Sequence, residues 1–166
     1  FLRNADRVKI ACLAQLVNVI APIMTRNGGA AWAQTIYYPL MHASVFGRGT
    51  ALRPIVSSPV YDCTDYEAVP YVDAAATMDE DGNVTIFAVN RDLQEDACLQ
   101  CDLRAFGAFS RMEQTVMHHD DVKAVNTEDH PDNVVPAHPV IQSLEDGALS
   151  AVLPALSWNV IRLLRS

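Results

Sequence analysis

The sequence predicts a mainly β chain in which an antiparallel β-sandwich follows one strand–helix unit of an α/β fold. Three observations predict this. Residues 8–21 are too apolar for a strand with one solvent-exposed face. Residues 30–46 place apolar side chains at helical spacing. After residue 49, short runs rich in β-branched and aromatic residues alternate with turn clusters, which is typical of antiparallel sandwiches.

The run Val8–Ala21 predicts a strand covered on both faces, as in a parallel sheet. Pro22 and the sequence Asn27-Gly28-Gly29 close it with a loop. Such a strand needs the rest of a sheet to cover its apolar side chains, which are Ile10, Leu13, Leu16, Val17 and Ile20.

The segment Ala30–Phe46 predicts an amphipathic helix with a kink at Pro39 and an end at Gly47 and Gly49. Its apolar face would carry Trp32, Ile36, Leu40 and Ala43. A buried strand followed by such a helix is the repeating unit of α/β folds.

Eight short strands are predicted beyond residue 50. Turns with glycine separate two pairs of them, at Glu80-Asp81-Gly82-Asn83 and at Glu145-Asp146-Gly147. The segment Asp120–Pro139 predicts a long surface loop. The predicted strands are Leu52–Val56, Tyr71–Met78, Val84–Asn90, Ala97–Leu103, Arg111–His118, Val140–Leu144, Ala148–Leu153 and Trp158–Leu164. The chain therefore divides near residue 50, into a tail of residues 1–50 and an all-β module of residues 51–166.

Composition narrows the class of protein. The 166 residues are 50% hydrophobic with a net charge of −8, which indicates a globular chain and disfavours binding to nucleic acid or anionic membranes.

The cysteines are expected to be structural. Cys12 is expected to be a buried free thiol, while Cys98 and Cys101 lie three residues apart on a predicted strand and would point to opposite faces. Structural cysteines and a reducing, cytoplasmic compartment are therefore expected, with no metal and no cofactor.

Two polar residues interrupt the apolar run, Gln15 and Asn18. A buried amide needs a hydrogen-bond partner, so each either ties strands together or points into a site at the carboxyl end of a barrel strand. The pair His118-His119 is expected to be a solvated strand end, and His42 to pack or cap. The acidic residues lie mostly in turns, and nothing predicts the pair of carboxylates that a retaining glycosidase needs. No catalytic residue is assigned to this chain.

Six segments together resemble one enzyme family. They cover Ala5–Thr25, Gln34–Leu52, Ser57–Asp62, Thr85–Leu93, Asn133–Pro136 and Ser157–Leu163, and they include the motifs CLAQLVNVI and QTIYYPLMH. The chain resembles the C-terminal part of α-L-arabinofuranosidases of glycoside hydrolase family 51. It begins in mid-fold at Phe1 without an initiator Met, as a C-terminal fragment would.

The resemblance implies a (β/α)8 catalytic barrel whose last strand–helix unit lies in residues 1–50, followed by a jelly-roll-like sandwich. It implies a retaining, exo-acting mechanism on arabino-oligosaccharides, with both catalytic glutamates upstream of this chain. It also implies that Gln15 binds the arabinofuranosyl unit, with Asn18 and Trp32 as weaker substrate-binding candidates. Homo-oligomers are expected as well.

An alternative of a different class is an independent carbohydrate-binding or oligomerisation module made of the β-sandwich alone. Binding modules usually display a row of exposed aromatic side chains. Here aromatic residues make up 7% of the chain, and Phe87, Trp158 and Tyr71 lie at strand positions expected to face a core. A structural sandwich is therefore favoured.

Overall fold

The computed structural model describes residues 1–139 and 142–165. It is mainly β, as predicted. The α-helix α1 spans Tyr37–Phe46, and short 3-10 turns cover Leu2–Asn4 and Arg104–Phe106. The strands are β1 (Ile23–Thr25), β2 (Ala31–Ala33), β3 (Thr50–Leu52), β4 (Val60–Tyr61), β5 (Val69–Pro70), β6 (Val72–Met78), β7 (Val84–Asn90), β8 (Ala97–Asp102), β9 (Arg111–His118), β10 (Gln142–Glu145), β11 (Ala148–Leu153) and β12 (Ser157–Leu164).

Two antiparallel sheets form the sandwich. One has five strands in the order β3-β6-β7-β12-β9, and the other has three in the order β10-β11-β8. Strands β12 and β8 both lie beside strands that are distant in sequence, so the chain crosses between the sheets as it does in Greek-key and jelly-roll folds. Two further two-stranded sheets pair β1 with β2 and β4 with β5.

The hydrophobic core lies between the two sheets. Strand register sets it, because side chains alternate between faces and every second residue of each strand points inward. Ile161 pairs with Ile86 across β12 and β7, and Leu163 pairs with Val84. All four are at most 5% exposed. The opposite sheet contributes Leu149, Ala151 and Leu153 to the same cluster.

Buried polar side chains tie one end of this core together. The Gln114 Nε2 group donates to the Val152 carbonyl at 2.8 Å and to Asn159 Oδ1 at 3.2 Å. Asn159 Nδ2 in turn donates to Ser157 Oγ at 2.7 Å. Since β9 and β12 belong to the large sheet and Val152 to the small one, these bonds link the two layers.

Helix α1 lies against the other face of the five-stranded sheet. Thr77 of β6 donates its hydroxyl to the Phe46 carbonyl at 3.3 Å, and the Arg162 guanidinium lies 4.4 Å from the centroid of the Phe46 ring. The indole of Trp158 donates to His42 on the helix. Helix α1 therefore covers part of the sheet face that points away from the core.

Most predicted strands of the sandwich are confirmed. Strands β7, β9 and β11 have the predicted bounds, and the turn between β6 and β7 uses Gly82 at φ 78° as expected. The turn between β10 and β11 places Asp146 and Gly147 at positive φ. The first predicted strand, Leu52–Val56, is shifted and covers Thr50–Leu52 instead. Residues 140 and 141 of the predicted strand Val140–Leu144 lie outside the described residues.

The predicted buried strand Val8–Ala21 is wrong for this chain. These residues have no strand structure beyond one parallel bridge between Val17 and Ile23, and Ile10 is 84% exposed. A parallel strand needs neighbours to satisfy its backbone and cover its faces, and the described residues supply none. Gln15, Asn18 and Val19 even adopt positive φ, which a strand does not allow.

Three further expectations are corrected. The predicted helix Ala30–Phe46 begins only at Tyr37, because residues 31–33 pair with β1 as a strand. Pro39 consequently lies in the first turn of the helix, where proline is tolerated and no kink is needed. Cys12, expected to be buried, is exposed along with its segment. Cys98 is exposed and Cys101 half-buried, which confirms that they face opposite ways.

Among residues 1–139 and 142–165, no helix is long and apolar enough to cross a membrane.

Candidate functional site

Gln15 lies in the irregular segment before β1 with its side chain exposed. Its φ of 60° places it in the left-handed region. Within the described part of the chain, its amide has no hydrogen-bond partner. An amide can both donate to and accept from a sugar hydroxyl without adding charge to a site. Within the described residues, the Gln15 side chain therefore ties no strands together.

Asn18, the second candidate, is already occupied. Its Oδ1 accepts the Thr25 backbone N–H at 2.7 Å, and its Nδ2 donates to Thr25 Oγ1 at 2.9 Å. Its own backbone N–H donates to the Ile23 carbonyl at 2.8 Å. These bonds anchor the segment that carries Gln15 to strand β1, so the structure gives Asn18 an anchoring role.

Trp32 lies on β2, opposite Met24 of β1, rather than at the start of a helix. Its side chain is half-buried, and the indole N–H is buried without a partner among the described residues. An unpaired buried donor costs about 1–3 kcal/mol, so this group is suited to an acceptor supplied by other atoms. Asn18 bonds to Thr25 of β1, and Trp32 pairs with the neighbouring Met24 of the same strand.

The residues that hold this hairpin in place were not predicted. Asn126, 1% exposed in the long loop after β9, donates to the Ala33 carbonyl of β2 at 3.0 Å. Arg26 lies in the turn between β1 and β2, and its Nη1 donates to both carboxylate oxygens of Glu128, at 2.8 and 2.9 Å. These partners lie 93 and 102 residues apart in sequence, and no local pattern connects them.

Asp73, a partly buried carboxylate near the N-terminal turn, faces two arginines. It makes ion pairs with Arg3 and, at 3.4 Å, with Arg91. These ion pairs tie the N-terminal turn and the residue after β7 to strand β6. This carboxylate therefore has a structural role.

The strand-end histidines also have structural partners. His118 is exposed at the last position of β9, as predicted, and its Nδ1 lies 2.6 Å from the Ala155 carbonyl. Its Nε2 lies 3.3 Å from Asp120. Within the described ranges, no group of three or more His, Cys, Asp or Glu side chains could hold a metal ion.

His42 is confirmed as a packing residue. It is 3% exposed on α1, stacks on Phe46, and accepts the Trp158 indole N–H at 3.2 Å through Nδ1. That bond fixes the neutral tautomer with its proton on Nε2. Burial lowers the pKa of His42, and the nearby His138 lowers it further.

Acid should therefore weaken the contact between α1 and the sandwich. Because the pKa of His42 is lower in the folded chain, its contribution is fully present above the unfolded value of about 6.5 and is lost as pH falls below it. We expect His42→Gln, which still offers Trp158 an acceptor, to reduce the fall in melting temperature between pH 8 and pH 5.5. His130→Gln, at an exposed loop histidine, is the matched control. Equal pH dependence of the wild type and His42→Gln would contradict the assignment.

The described residues form a β-sandwich joined to an irregular N-terminal segment that carries the exposed Gln15 side chain. A family model for the α-L-arabinofuranosidase C-terminal domain matches residues 1–157, and the chain belongs to this family.

Proteins with similar sequences and structures are named as α-L-arabinofuranosidases as well. The chain is 55% identical over 163 residues to an intracellular exo-α-(1→5)-L-arabinofuranosidase of Halalkalibacterium halodurans, covering 98% of this chain and 32% of that protein. It is 53% identical to the corresponding enzyme 1 of Bacillus subtilis, with the same coverage. The solved structure of a family 51 α-L-arabinofuranosidase from Bifidobacterium longum is 39% identical with a TM-score of 0.89, covering 98% of this chain and 32% of that one. The chain thus spans about a third of the length of these relatives.

Proposed function

We propose that this chain is the C-terminal part of a retaining, exo-acting α-L-arabinofuranosidase that hydrolyses terminal non-reducing α-L-arabinofuranosyl residues of arabino-oligosaccharides. The observation that carries the proposal is the 55% identity over nearly the whole chain to a protein named for that activity. Residues 1–50 are the terminal segment of the (β/α)8 catalytic barrel, and residues 51–166 are the C-terminal sandwich domain.

The exposed apolar run supports a barrel upstream. Ile10, Leu16, Val19 and Ile20 are each more than 60% exposed and lie within eleven residues of one another. A soluble protein rarely leaves such a patch open to water, so the run suits a segment that other barrel strands cover. Both catalytic glutamates belong to that upstream part.

Gln15 is proposed to bind the arabinofuranosyl unit. Its exposed amide, which has no partner among the described residues, supports this role, because an amide can both donate to and accept from a sugar hydroxyl. Trp32 is a weaker candidate for the same site, since its indole N–H lacks an acceptor. Asn18 is a weaker candidate still, because Thr25 already uses its side chain.

The alternative of an independent carbohydrate-binding or oligomerisation module has less support. Phe87 is 3% exposed and stacks on Trp158, whose indole is bonded to His42. Tyr71 packs against Tyr61 with ring centroids 4.7 Å apart. These aromatic rings are used in packing and do not form an exposed row.

We propose that the full-length enzyme is a cytoplasmic homo-oligomer. The word "intracellular" in the relatives' names supports the cytoplasmic compartment.

Hydrolysis of an aryl α-L-arabinofuranoside tests the proposal. The full-length protein that contains this chain should release the aryl group, whereas the isolated 166-residue chain should not exceed the spontaneous rate, because it contains neither the acid nor the nucleophile. Circular dichroism of the isolated chain should show strand signal, as proof that it is folded. Turnover by the isolated chain, or none by the full-length protein, would overturn the proposal.

A further inference from the structure

The long loop after β9 reaches across the molecule to the hairpin beside Gln15. We define residues 124–134 as the tether loop. Its base is fixed by a bridge between Val116 and Ala137, with N–H···O distances of 2.8 and 2.7 Å in the two directions. The rest of the loop is irregular in structure, yet Asn126 and Val134 are 1% and 6% exposed. Asn126 contacts the β1–β2 hairpin, whereas Val134 lines a cavity together with Met117 and Trp158 of the sandwich.

Asn126 is the centre of this contact. Its Oδ1 accepts the Val134 N–H at 2.7 Å, and its Nδ2 donates to the Val134 carbonyl and to the Ala33 carbonyl, both at 3.0 Å. One side chain thus closes the loop on itself and fastens it to β2. The two bonds to Val134 are buried and the bond to Ala33 is partly buried, so the loss of the Asn126 side chain is costly.

A second contact lies at the surface. The carboxylate of Glu128 receives both hydrogen bonds from Arg26 Nη1, in the turn of the hairpin. Side-chain exposures of 66% for Arg26 and 29% for Glu128 make this pair weaker than the Asn126 contact. The two contacts hold the hairpin at its turn and at one strand.

The hairpin in turn holds the segment that carries Gln15. Ala33 pairs with Ile23 across the hairpin, and Ile23 accepts the backbone N–H of Asn18. Asn18 is further clamped to Thr25, and Gln15 lies three residues before it. A continuous path of contacts therefore runs from Asn126 to the Gln15 segment, with hydrogen bonds at both ends and the pairing of β1 with β2 between them.

We propose that Asn126 is a positioning residue for the sugar-binding site, through which the sandwich domain sets the place of Gln15. The inference rests on the proposed function of Gln15. Misplacement of a binding group by about 1 Å can cost a hundredfold in rate, so loosening the hairpin should be visible in kinetics.

The test uses the full-length protein, with kcat/KM on an aryl α-L-arabinofuranoside measured well below the melting temperature. Asn126→Ala should lower kcat/KM roughly fivefold to fiftyfold. Glu128→Gln, which keeps the shape of the side chain, should cost roughly 1.5-fold to fivefold, as a surface ion pair would. Asn159→Ala is the matched control, because Asn159 is an equally buried, hydrogen-bonded asparagine inside the sandwich that makes no contact with the hairpin.

Hydrogen exchange of the same variants separates the tether from the substrate contact. Asn126→Ala should speed exchange in residues 17–33 and leave β6 and β7 unchanged, whereas Asn159→Ala should do the reverse. In combination with Gln15→Ala, the kinetic effect of Asn126→Ala should shrink, because both act through one group. Wild-type kcat/KM in Asn126→Ala, or a loss equal to that of Asn159→Ala, would overturn the inference. Wild-type kinetics in Gln15→Ala would instead overturn the proposed role of Gln15, while the exchange result would still report whether the tether exists.

Discussion

Ile161→Ala should lower the free energy of unfolding of the 166-residue chain by about 2–5 kcal/mol. Ile161 is 0% exposed on β12, which lies between β7 and β9 in the five-stranded sheet. Its side chain belongs to the cluster that joins the two sheets. Truncation removes buried methyl groups and leaves a cavity that surrounding strands, fixed by their ladders, cannot fill.

Ile55→Ala provides the matched control for this substitution. Ile55 is 101% exposed in the extended segment after β3, so the same change of side chain should alter stability by no more than about 0.5 kcal/mol. Urea titration followed by circular dichroism measures both variants against the wild type. Equal losses in the two variants would mean that the layer between the sheets is not the stabilising core.

The sandwich could be predicted from the sequence because each of its strands carries its own signal. Strands such as β7 and β11 have β-branched or apolar residues bounded by turns, and their pairing partners lie within this chain. The turn at Gly82 specifies the β6–β7 hairpin locally. Local pattern and tertiary pairing agree there, so the bounds were close to correct.

The first 50 residues could not be predicted in the same way. The apolar run Val8–Ala21 has the composition of a buried parallel strand, but a parallel strand depends on neighbours that the pattern itself does not supply. Residues 31–33 have helical spacing, yet the Gly28-Gly29 turn folds them back onto β1, and this pairing outweighs the helix propensity of Ala31 and Ala33.

The contacts around the candidate site could not be predicted from the sequence either. Asn126 and Ala33 are 93 residues apart, and a Pro- and Asp-rich loop predicts only exposure. The sequence identifies Gln15 as a candidate for two reasons. It interrupts an apolar run, and the family resemblance implies a substrate-binding role for it. The structure adds that no described residue bonds to its amide, whereas Thr25 bonds to the Asn18 side chain.

Gln15→Ala in the full-length protein should lower kcat/KM for an aryl α-L-arabinofuranoside roughly threefold to a hundredfold. One hydrogen bond to a neutral hydroxyl contributes about 0.5–1.5 kcal/mol, and more if it strengthens in the transition state. The melting temperature should be unchanged, because the side chain is exposed and makes no bond to the described residues. Gln100→Ala, at an exposed glutamine on β8, is the control and should retain wild-type kinetics.

Measuring kcat/KM and melting temperature on the same preparation of Gln15→Ala tests the central claim most directly, namely that this chain supplies a substrate ligand to an arabinofuranosidase whose catalytic groups lie elsewhere. The account predicts a reduced kcat/KM at an unchanged melting temperature. An unchanged kcat/KM with a lowered melting temperature would contradict it, because Gln15 would then only hold the segment together.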